Sequence, residues 1–140
     1  MKNLTIIFLL IVSVNLSAQT KTQNWLTDYQ EATKTSETRN NPILVFVTDN
    51  TNSEKFNLLQ DEVFNSEIFK RYASSFVLLK LDVTSDSYHK RLASHYTKSN
   101  NVPALVLIDD KGNSIEKALT EINSKNISEF MAFLKTKTKY

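Results

Sequence analysis

The sequence contains no cysteine, and its 140 residues include only one glycine and two prolines. Without a thiol the chain cannot form a disulfide, hold a zinc ion or an iron–sulfur cluster through cysteine, or attack a substrate with a thiolate. A charge excess is also lacking, because 17 Lys and Arg face 15 Asp and Glu, which leaves a formal charge of +2. This balance argues against electrostatic binding to nucleic acid or to an anionic membrane.

A hydrophobic segment stands at the N terminus and differs from the rest of the chain. Lys2 is its only charge, and residues 6–14 are almost all apolar. This run is about half of the roughly 20 residues that a membrane-spanning helix needs, and small residues ending at Ala18 follow where signal peptidase would cut. We therefore predict a signal peptide over residues 1–18 and a periplasmic or secreted domain over residues 19–140, with no membrane insertion after cleavage. An uncleaved anchor is the alternative.

Helix and strand patterns alternate along the predicted mature chain. Continuous apolar runs rich in β-branched and aromatic residues predict buried strands, and apolar residues three or four apart predict helices. The expected order is α-β-α-β-α-β-β-α, an α/β fold with a mixed four-stranded sheet flanked by helices. The predicted strands are residues 43–47, 76–83, 104–108 and 114–119, and the inward helix stripes are Trp25/Tyr29/Ala32, Phe56/Leu59/Val63, Tyr88/Leu92/Tyr96 and Ile127/Phe130/Met131/Leu134.

Two local signals refine this pattern. Thr51 and Glu54 have the spacing of a capping box, which predicts the start of the second helix. Gly112 is the only glycine and lies in the turn between the last two predicted strands. A positive φ is expected at that position.

Several short sequence strings occur in an order and spacing that resembles the thioredoxin superfamily, and especially its exported members. They are Trp25, the step Asn41-Pro42 into a strand, the string Glu62-Val63-Phe64, a strand ending in Asp82, the step Val102-Pro103 and the hairpin turn 110–113. The resemblance covers nearly all of the mature chain and implies a thioredoxin-like fold.

The resemblance departs at its centre. Relatives carry Cys-x-x-Cys at the start of the second helix, and an ungapped count from Pro42 to Phe64 places these cysteines at Ser53 and Phe56. A serine hydroxyl cannot exchange with a disulfide, and phenylalanine offers no polar atom. The resemblance therefore implies a member of the superfamily that is not a redox enzyme and needs no cofactor.

A peptide-binding groove is a further implication of the resemblance. In thioredoxins the proline that corresponds to Pro103 is cis, and the residue before it pairs with the backbone of a bound peptide. A groove around Ser53, Phe56, Val102 and Pro103 would accept an extended segment by strand-like pairing. In the alternative interpretation, Pro103 only positions the third strand and Phe56 fills the core space of the missing cysteine.

Two functional hypotheses follow from the resemblance. The first is an exported, non-catalytic module that binds a peptide or protein partner in the cell envelope. The second is a relative of thiol–disulfide oxidoreductases that acts indirectly, in envelope redox homeostasis or protein folding, together with a cysteine-bearing partner. A purely structural envelope protein without a ligand site is a third option.

Other site chemistry has weaker support in the sequence. His89 and His95 are six residues apart, which places them on different flanks of a helix, and we expect no metal site. A hydrolase with Ser53 as nucleophile would need a base nearby, and nothing in the sequence places either histidine there. The string 126–128 matches the glycosylation sequon, although its position favours a helix cap.

Overall fold

The computed structural model describes residues 23–139. Its strands are β1 (Ile43–Thr48), β2 (Val77–Asp82) and β3 (Ala104–Ile108), and its helices are α1 (Tyr29–Arg39), α2 (Glu54–Leu59), a π-helical turn (Gln60–Phe64), α3 (Glu67–Tyr72), a 3-10 turn (Ala73–Ser75), α4 (Ser87–Thr97) and α5 (Ser124–Thr136). None of the helices in this part of the chain is long and apolar enough to cross a bilayer. The predicted signal peptide, residues 1–18, lies outside the described residues.

The three strands form one sheet in the order β2-β1-β3. β1 runs parallel to β2, with Thr48 beside Asp82, and antiparallel to β3, with Val47 opposite Ala104. Every residue of β1 is buried, as its continuous apolar run predicts for a central strand. The predicted α/β fold with a mixed sheet flanked by helices is therefore confirmed.

The fourth predicted strand, residues 114–119, is not a regular strand. One isolated bridge pairs Ser114 with Ile108, and another pairs Leu119 with Leu105. Between the two bridges the chain advances by three residues along β3 but by five along this segment. Two residues are in excess, and the ladder is interrupted where Glu116 and Lys117 are exposed to solvent. A bulge of this kind leaves residues unpaired, so the sheet has three regular strands.

The turn before this segment has the conformation that its glycine predicts. Gly112 has a φ of 79°, and a Cβ atom added there would lie 2.9 Å from the Tyr29 hydroxyl and 3.1 Å from the Tyr96 hydroxyl. Tyr96 donates a hydrogen bond to the Tyr29 hydroxyl at 2.7 Å. Burial raises the pKa of Tyr96 far above its ordinary value. The turn is thus held against both α1 and α4.

The start of the first helix differs from the sequence prediction. Trp25 lies before α1, because Asp28 caps this helix and its side chain accepts a hydrogen bond from the Glu31 N–H at 2.9 Å. The preceding segment instead pairs with the edge of β2 through a parallel bridge between Leu26 and Leu79. The helical spacing of Trp25 was therefore coincidental.

The second helix is capped two residues later than the capping-box spacing predicts. Its N-cap is Ser53 and not Thr51, because the Ser53 Oγ accepts a hydrogen bond from the Phe56 N–H at 3.1 Å. The Thr51 N–H is used in the preceding loop, where it donates to the Asp49 carboxylate at 2.9 Å.

Just over half of the residues in the predicted inward stripes are buried. The buried members are Ala32, Leu59, Val63, Tyr96, Ile127, Phe130 and Leu134. Tyr88 is an exception, since it is 43% exposed. The inward side of α4 is formed by Ala93 and Thr97 together with Tyr96.

The sheet separates two hydrophobic clusters, because successive side chains of a strand point to opposite faces. The aromatic face is centred on Phe46, Phe64, Phe69, Phe76 and Phe130, with Trp25 and Phe56 partly buried against it. The aliphatic face is centred on Val45, Leu79, Leu81, Val106 and Ile108, and Tyr96 packs into it from α4.

Candidate functional site

The end of β1 and the start of β3 meet at one end of the sheet. Because Val47 is opposite Ala104 in this antiparallel pair, Pro103 lies beside the last residue of β1. The loop that leads to Ser53 leaves from the same end. The peptide bond between Val102 and Pro103 is cis. The register therefore brings two of the predicted site segments to one end of the sheet.

Val102 combines a packed side chain with a free main chain. It is half-buried, and its side chain packs against the aliphatic face. Its N–H and C=O form no hydrogen bond with any residue between 23 and 139. Pro103 is buried immediately beside it. Free main-chain groups next to a sheet are what an added strand requires.

Ser53 has a structural role in the described contacts. Its hydroxyl oxygen accepts the hydrogen bond from the Phe56 N–H and so satisfies one of the free donors at the start of α2. The two histidines of α4 make other contacts. The His89 Nδ1 lies 3.2 Å from the Ser85 hydroxyl, and His95 is exposed against the ring of Tyr96. The geometry thus favours capping over a nucleophilic role for Ser53.

Phe56 lies on the aromatic face of the sheet. Its ring stacks on Phe46 with a centroid distance of 6.3 Å and an interplanar angle of 28°, and it is half-buried. Val102 packs on the opposite face, so the four residues of the predicted groove share one end of the sheet but not one face. The groove itself stays a prediction.

The polar loop between β1 and α2 is tied to the neighbouring end of β2. Asn50, at a φ of 60°, donates a side-chain hydrogen bond to the Asp82 carboxylate. The hydroxyl and the N–H of Thr84 donate to the same carboxylate at 2.6 and 2.9 Å. These hydrogen bonds, with the Thr84 hydroxyl contributing most, lower the pKa of Asp82 below its ordinary value. They hold the loop in place through the side-chain hydrogen bonds that Asn, Asp and Thr commonly form in turns.

A cleft on the aromatic face was not predicted from the sequence. It has a volume of about 480 Å³ and is lined by Gln23, Trp25, Phe46, Phe56, Gln60, Phe64, Asn65, Lys70 and Lys80. One sequence signal points to it, because Lys80 interrupts the apolar run of β2. No group of three or more His, Cys, Asp or Glu side chains in residues 23–139 is placed to hold a metal ion.

Comparison with known proteins identifies the family. A model of the thioredoxin-like family matches residues 24–110, which is more than half of the chain. The chain therefore belongs to the thioredoxin-like family. No curated protein matches the sequence significantly.

Solved structures share the fold. DsbH oxidoreductase matches with 24% identity and a TM-score of 0.62, over 80% of this chain and 84% of that one. A thioredoxin from Thermus thermophilus matches with 18% identity and a TM-score of 0.60, over 82% and 87%. The disulphide isomerase from Xylella fastidiosa Temecula1 has 16% identity and a TM-score of 0.57, over 81% and 99%. At these identities the likeness establishes the fold alone.

Proposed function

We propose that this protein is an exported thioredoxin-fold binding module without redox activity, which holds an extended peptide or protein segment beside Val102 and Pro103. The observation that carries the proposal is that the N–H and C=O of Val102, next to the buried Pro103, form no hydrogen bond within the described part of the chain. The absence of cysteine agrees with it, because the family scaffold is retained while thiol–disulfide exchange has no thiol to act through.

The binding mode follows from these groups. A segment laid beside Val102 would accept a hydrogen bond from its N–H and donate one to its C=O, as in strand addition. Each such hydrogen bond contributes only about 0.5–1.5 kcal/mol net. We therefore expect modest affinity, with selectivity supplied by side chains on either side of the paired residues.

The dependence on main-chain pairing provides a sharp test. A fluorescent eight-residue peptide selected from a panel of unstructured sequences is titrated with the protein, and binding is followed by fluorescence polarisation. Methylation of the central amide nitrogen of the peptide removes one donor without changing its charge. We expect this change to weaken binding about tenfold, the size of one lost, unreplaced hydrogen bond. Methylation of a terminal amide serves as the matched control, and equal affinity of all three peptides would contradict the proposal.

The redox part of the proposal has a separate test. In an insulin-reduction assay with dithiothreitol, the protein should leave the uncatalysed rate unchanged, because it has no thiol to form a mixed disulfide. Measurable turnover by the pure protein would contradict the proposal whatever its peptide affinity.

Export is supported by the predicted signal peptide over residues 1–18. The expected result is that protein recovered from the periplasm or medium begins at Gln19 or within two residues of it. Mass spectrometry of the intact protein measures this directly. A species that retains Met1 and stays inside the cell would contradict export.

An indirect role in disulfide chemistry is the second candidate function. The names of two structural relatives, an oxidoreductase and a disulphide isomerase, favour it. Under this hypothesis the protein would assist a cysteine-bearing partner. Addition of the pure protein to a refolding reaction that contains a disulfide isomerase should then raise the yield of a disulfide-bonded substrate. An unchanged yield would count against this candidate.

A further inference from the structure

We infer that the cleft on the aromatic face binds a small organic anion, namely a monocarboxylate with an apolar body. This inference goes beyond the proposed peptide site and does not depend on it, because Val102 packs on the other face of the sheet. A volume of about 480 Å³ lies within the range of small-molecule sites.

Four aromatic rings form the apolar part of the cleft. Trp25 meets Phe64 edge-on at a centroid distance of 5.3 Å and Phe46 at 5.9 Å, and Phe56 stacks on Phe46. Phe46 and Phe64 are 4% and 6% exposed and form the floor, whereas Trp25 and Phe56 are half-buried. The two half-buried rings therefore leave apolar surface for a ligand to cover.

The charges at the cleft have one sign. Lys80 pairs with Phe46 across β1 and β2, which places its side chain on the aromatic face. Among residues 23–139 its ammonium group has no hydrogen bond and no ion pair within 4 Å, although its charge helps to lower the pKa of Asp82, and no carboxylate lines the cleft. An ammonium group beside apolar rings is stabilised by an opposite charge. The cleft is therefore complementary to an anion.

The second ammonium group at the cleft, that of Lys70, forms only a weak ion pair within the protein. Lys70 contacts Glu67 at 3.2 Å, but both side chains are largely exposed. Exposed pairs of this kind contribute only about 0–1 kcal/mol in other proteins. A bound carboxylate can therefore recruit Lys70 as well as Lys80.

A π-helical turn supplies neutral donors at the rim of the cleft. The Asn65 N–H donates to the Gln60 carbonyl at 2.9 Å across this wider turn. Both residues line the cleft, and their side-chain amides form no hydrogen bond within the described part of the chain. Turns of this type are frequent at functional sites. The Gln23 amide is already used, because it donates to the Phe64 carbonyl at 3.0 Å.

The chain segment before Gln23 matches the cleft less well than a free organic anion does. Residues 19–22 read Gln-Thr-Lys-Thr, which offers no apolar side chain and adds a positive charge. A free anion with an apolar body matches both the rings and the lysines.

The single tryptophan of the sequence reports directly on the cleft, because Trp25 is part of its wall. The full mature protein is titrated with octanoate, 1-octanol and octylamine, and Trp25 fluorescence is recorded. We expect a saturable change with octanoate and about tenfold weaker binding of octanol, because the carboxylate gains charge-assisted hydrogen bonds. Octylamine, which is cationic at neutral pH, should bind more weakly still.

Two variants locate the anion. Lys80→Gln should weaken octanoate binding about tenfold and leave octanol binding unchanged, whereas Lys90→Gln on the exposed side of α4 serves as the matched control. If Lys80→Gln does not fold by circular dichroism, Lys70→Gln provides the same comparison, with a loss of about threefold because that ammonium group is more exposed. The inference is overturned if no saturable response appears, which is also the result if residues 19–22 fill the cleft. It is equally overturned if octanol binds as tightly as octanoate, or if octanoate affinity is unchanged in both lysine variants.

Discussion

At its centre the aliphatic face of the sheet is closed, whereas the aromatic face is open along Trp25 and Phe56. Leu79, Leu81 and Ile108 are completely buried on the aliphatic face. On the other face, the two half-buried rings border a cleft whose Gln60 and Asn65 side-chain amides form no hydrogen bond within residues 23–139. The fully buried aliphatic side chains therefore serve stability, and the inferred anion site lies on the aromatic face, where packing stops short of closure.

The largest expected effect concerns the closed face. Leu79→Ala removes a fully buried side chain of β2 and should lower the free energy of unfolding by about 2–5 kcal/mol. Urea denaturation followed by circular dichroism measures this loss. Leu79→Met conserves most of the volume and should cost less than about 1.5 kcal/mol. A loss below that value for Leu79→Ala would show that this face is not tightly packed.

Truncation to alanine should lower the free energy of unfolding less at the partly exposed Phe56 than at a fully buried phenylalanine of the same face. A fully buried phenylalanine loses about 3–5 kcal/mol on truncation to alanine, and Phe69→Ala, with no exposure, is the matched control. Because part of the Phe56 ring is already exposed, Phe56→Ala should cost about half as much. Equal losses of stability for the two variants would show that Phe56 is packed as tightly as Phe69. They would favour the interpretation that Phe56 only fills space in the core.

The turn that closes the aliphatic face next to α1 and α4 depends on its glycine. Gly112→Ala forces a side chain into the left-handed region and against two tyrosine hydroxyls, and should cost about 1–2 kcal/mol from the backbone alone. Combining it with Tyr29→Phe separates the two causes, because that change removes the closer of the two contacts, the hydroxyl at 2.9 Å. If the double variant is no more stable than the sum of the two single changes predicts, the backbone conformation is the main cause of the stability loss.

A smaller effect is expected at the start of α2. Ser53→Ala removes the N-cap and should cost about 1 kcal/mol. Ser66→Ala at the start of α3 is the comparison, because the Ser66 Oγ accepts from the Phe69 N–H at the same distance of 3.1 Å, although it also donates to the Val63 carbonyl at 2.6 Å. Similar losses would confirm that Ser53 acts as a cap. A negligible loss for Ser53→Ala, combined with weaker peptide binding, would assign the hydroxyl to a ligand.

The smallest effect concerns acid pH. The pKa of Asp82 is lowered, so the interactions of its carboxylate with Thr84 and Asn50 are fully present above the ordinary aspartate pKa and are lost as the pH falls through the lowered value. A carbon-13 NMR titration should give a midpoint below that of an unperturbed aspartate. Thr84→Ala should raise the midpoint, since the Thr84 hydroxyl contributes most. An unchanged midpoint in Thr84→Ala would contradict this cause.

Local patterns predicted much of the fold because they depend on neighbouring residues. The unbroken apolar run of β1 and the stripe of α5 translate directly into burial. Residues 114–119 do not form a regular strand, because the register against β3 shifts by two residues around Glu116 and Lys117, which are exposed to solvent. Such a slip is decided by tertiary packing and leaves no local signal.

The candidate sites show the same limit. The step Val102-Pro103 could be recognised because its two residues are adjacent in sequence. The cleft could not, because Trp25 and Lys80 come together only through the pairing of β2 with both its neighbours. The helical spacing of Trp25 also predicted, wrongly, that this residue belongs to the first helix, whereas α1 begins after the Asp28 cap.

The most direct test of the central claim, a binding site beside Val102 and Pro103, is amide chemical-shift mapping. Nitrogen-15-labelled protein is titrated with the selected peptide, and the shifted amides are assigned. We predict the largest shifts at Val102 and in the loop of residues 49–53, with saturation at the affinity seen by fluorescence. Shifts confined to the opposite end of the sheet, around Pro42 and Gly112, or no shifts at saturating peptide, would contradict it.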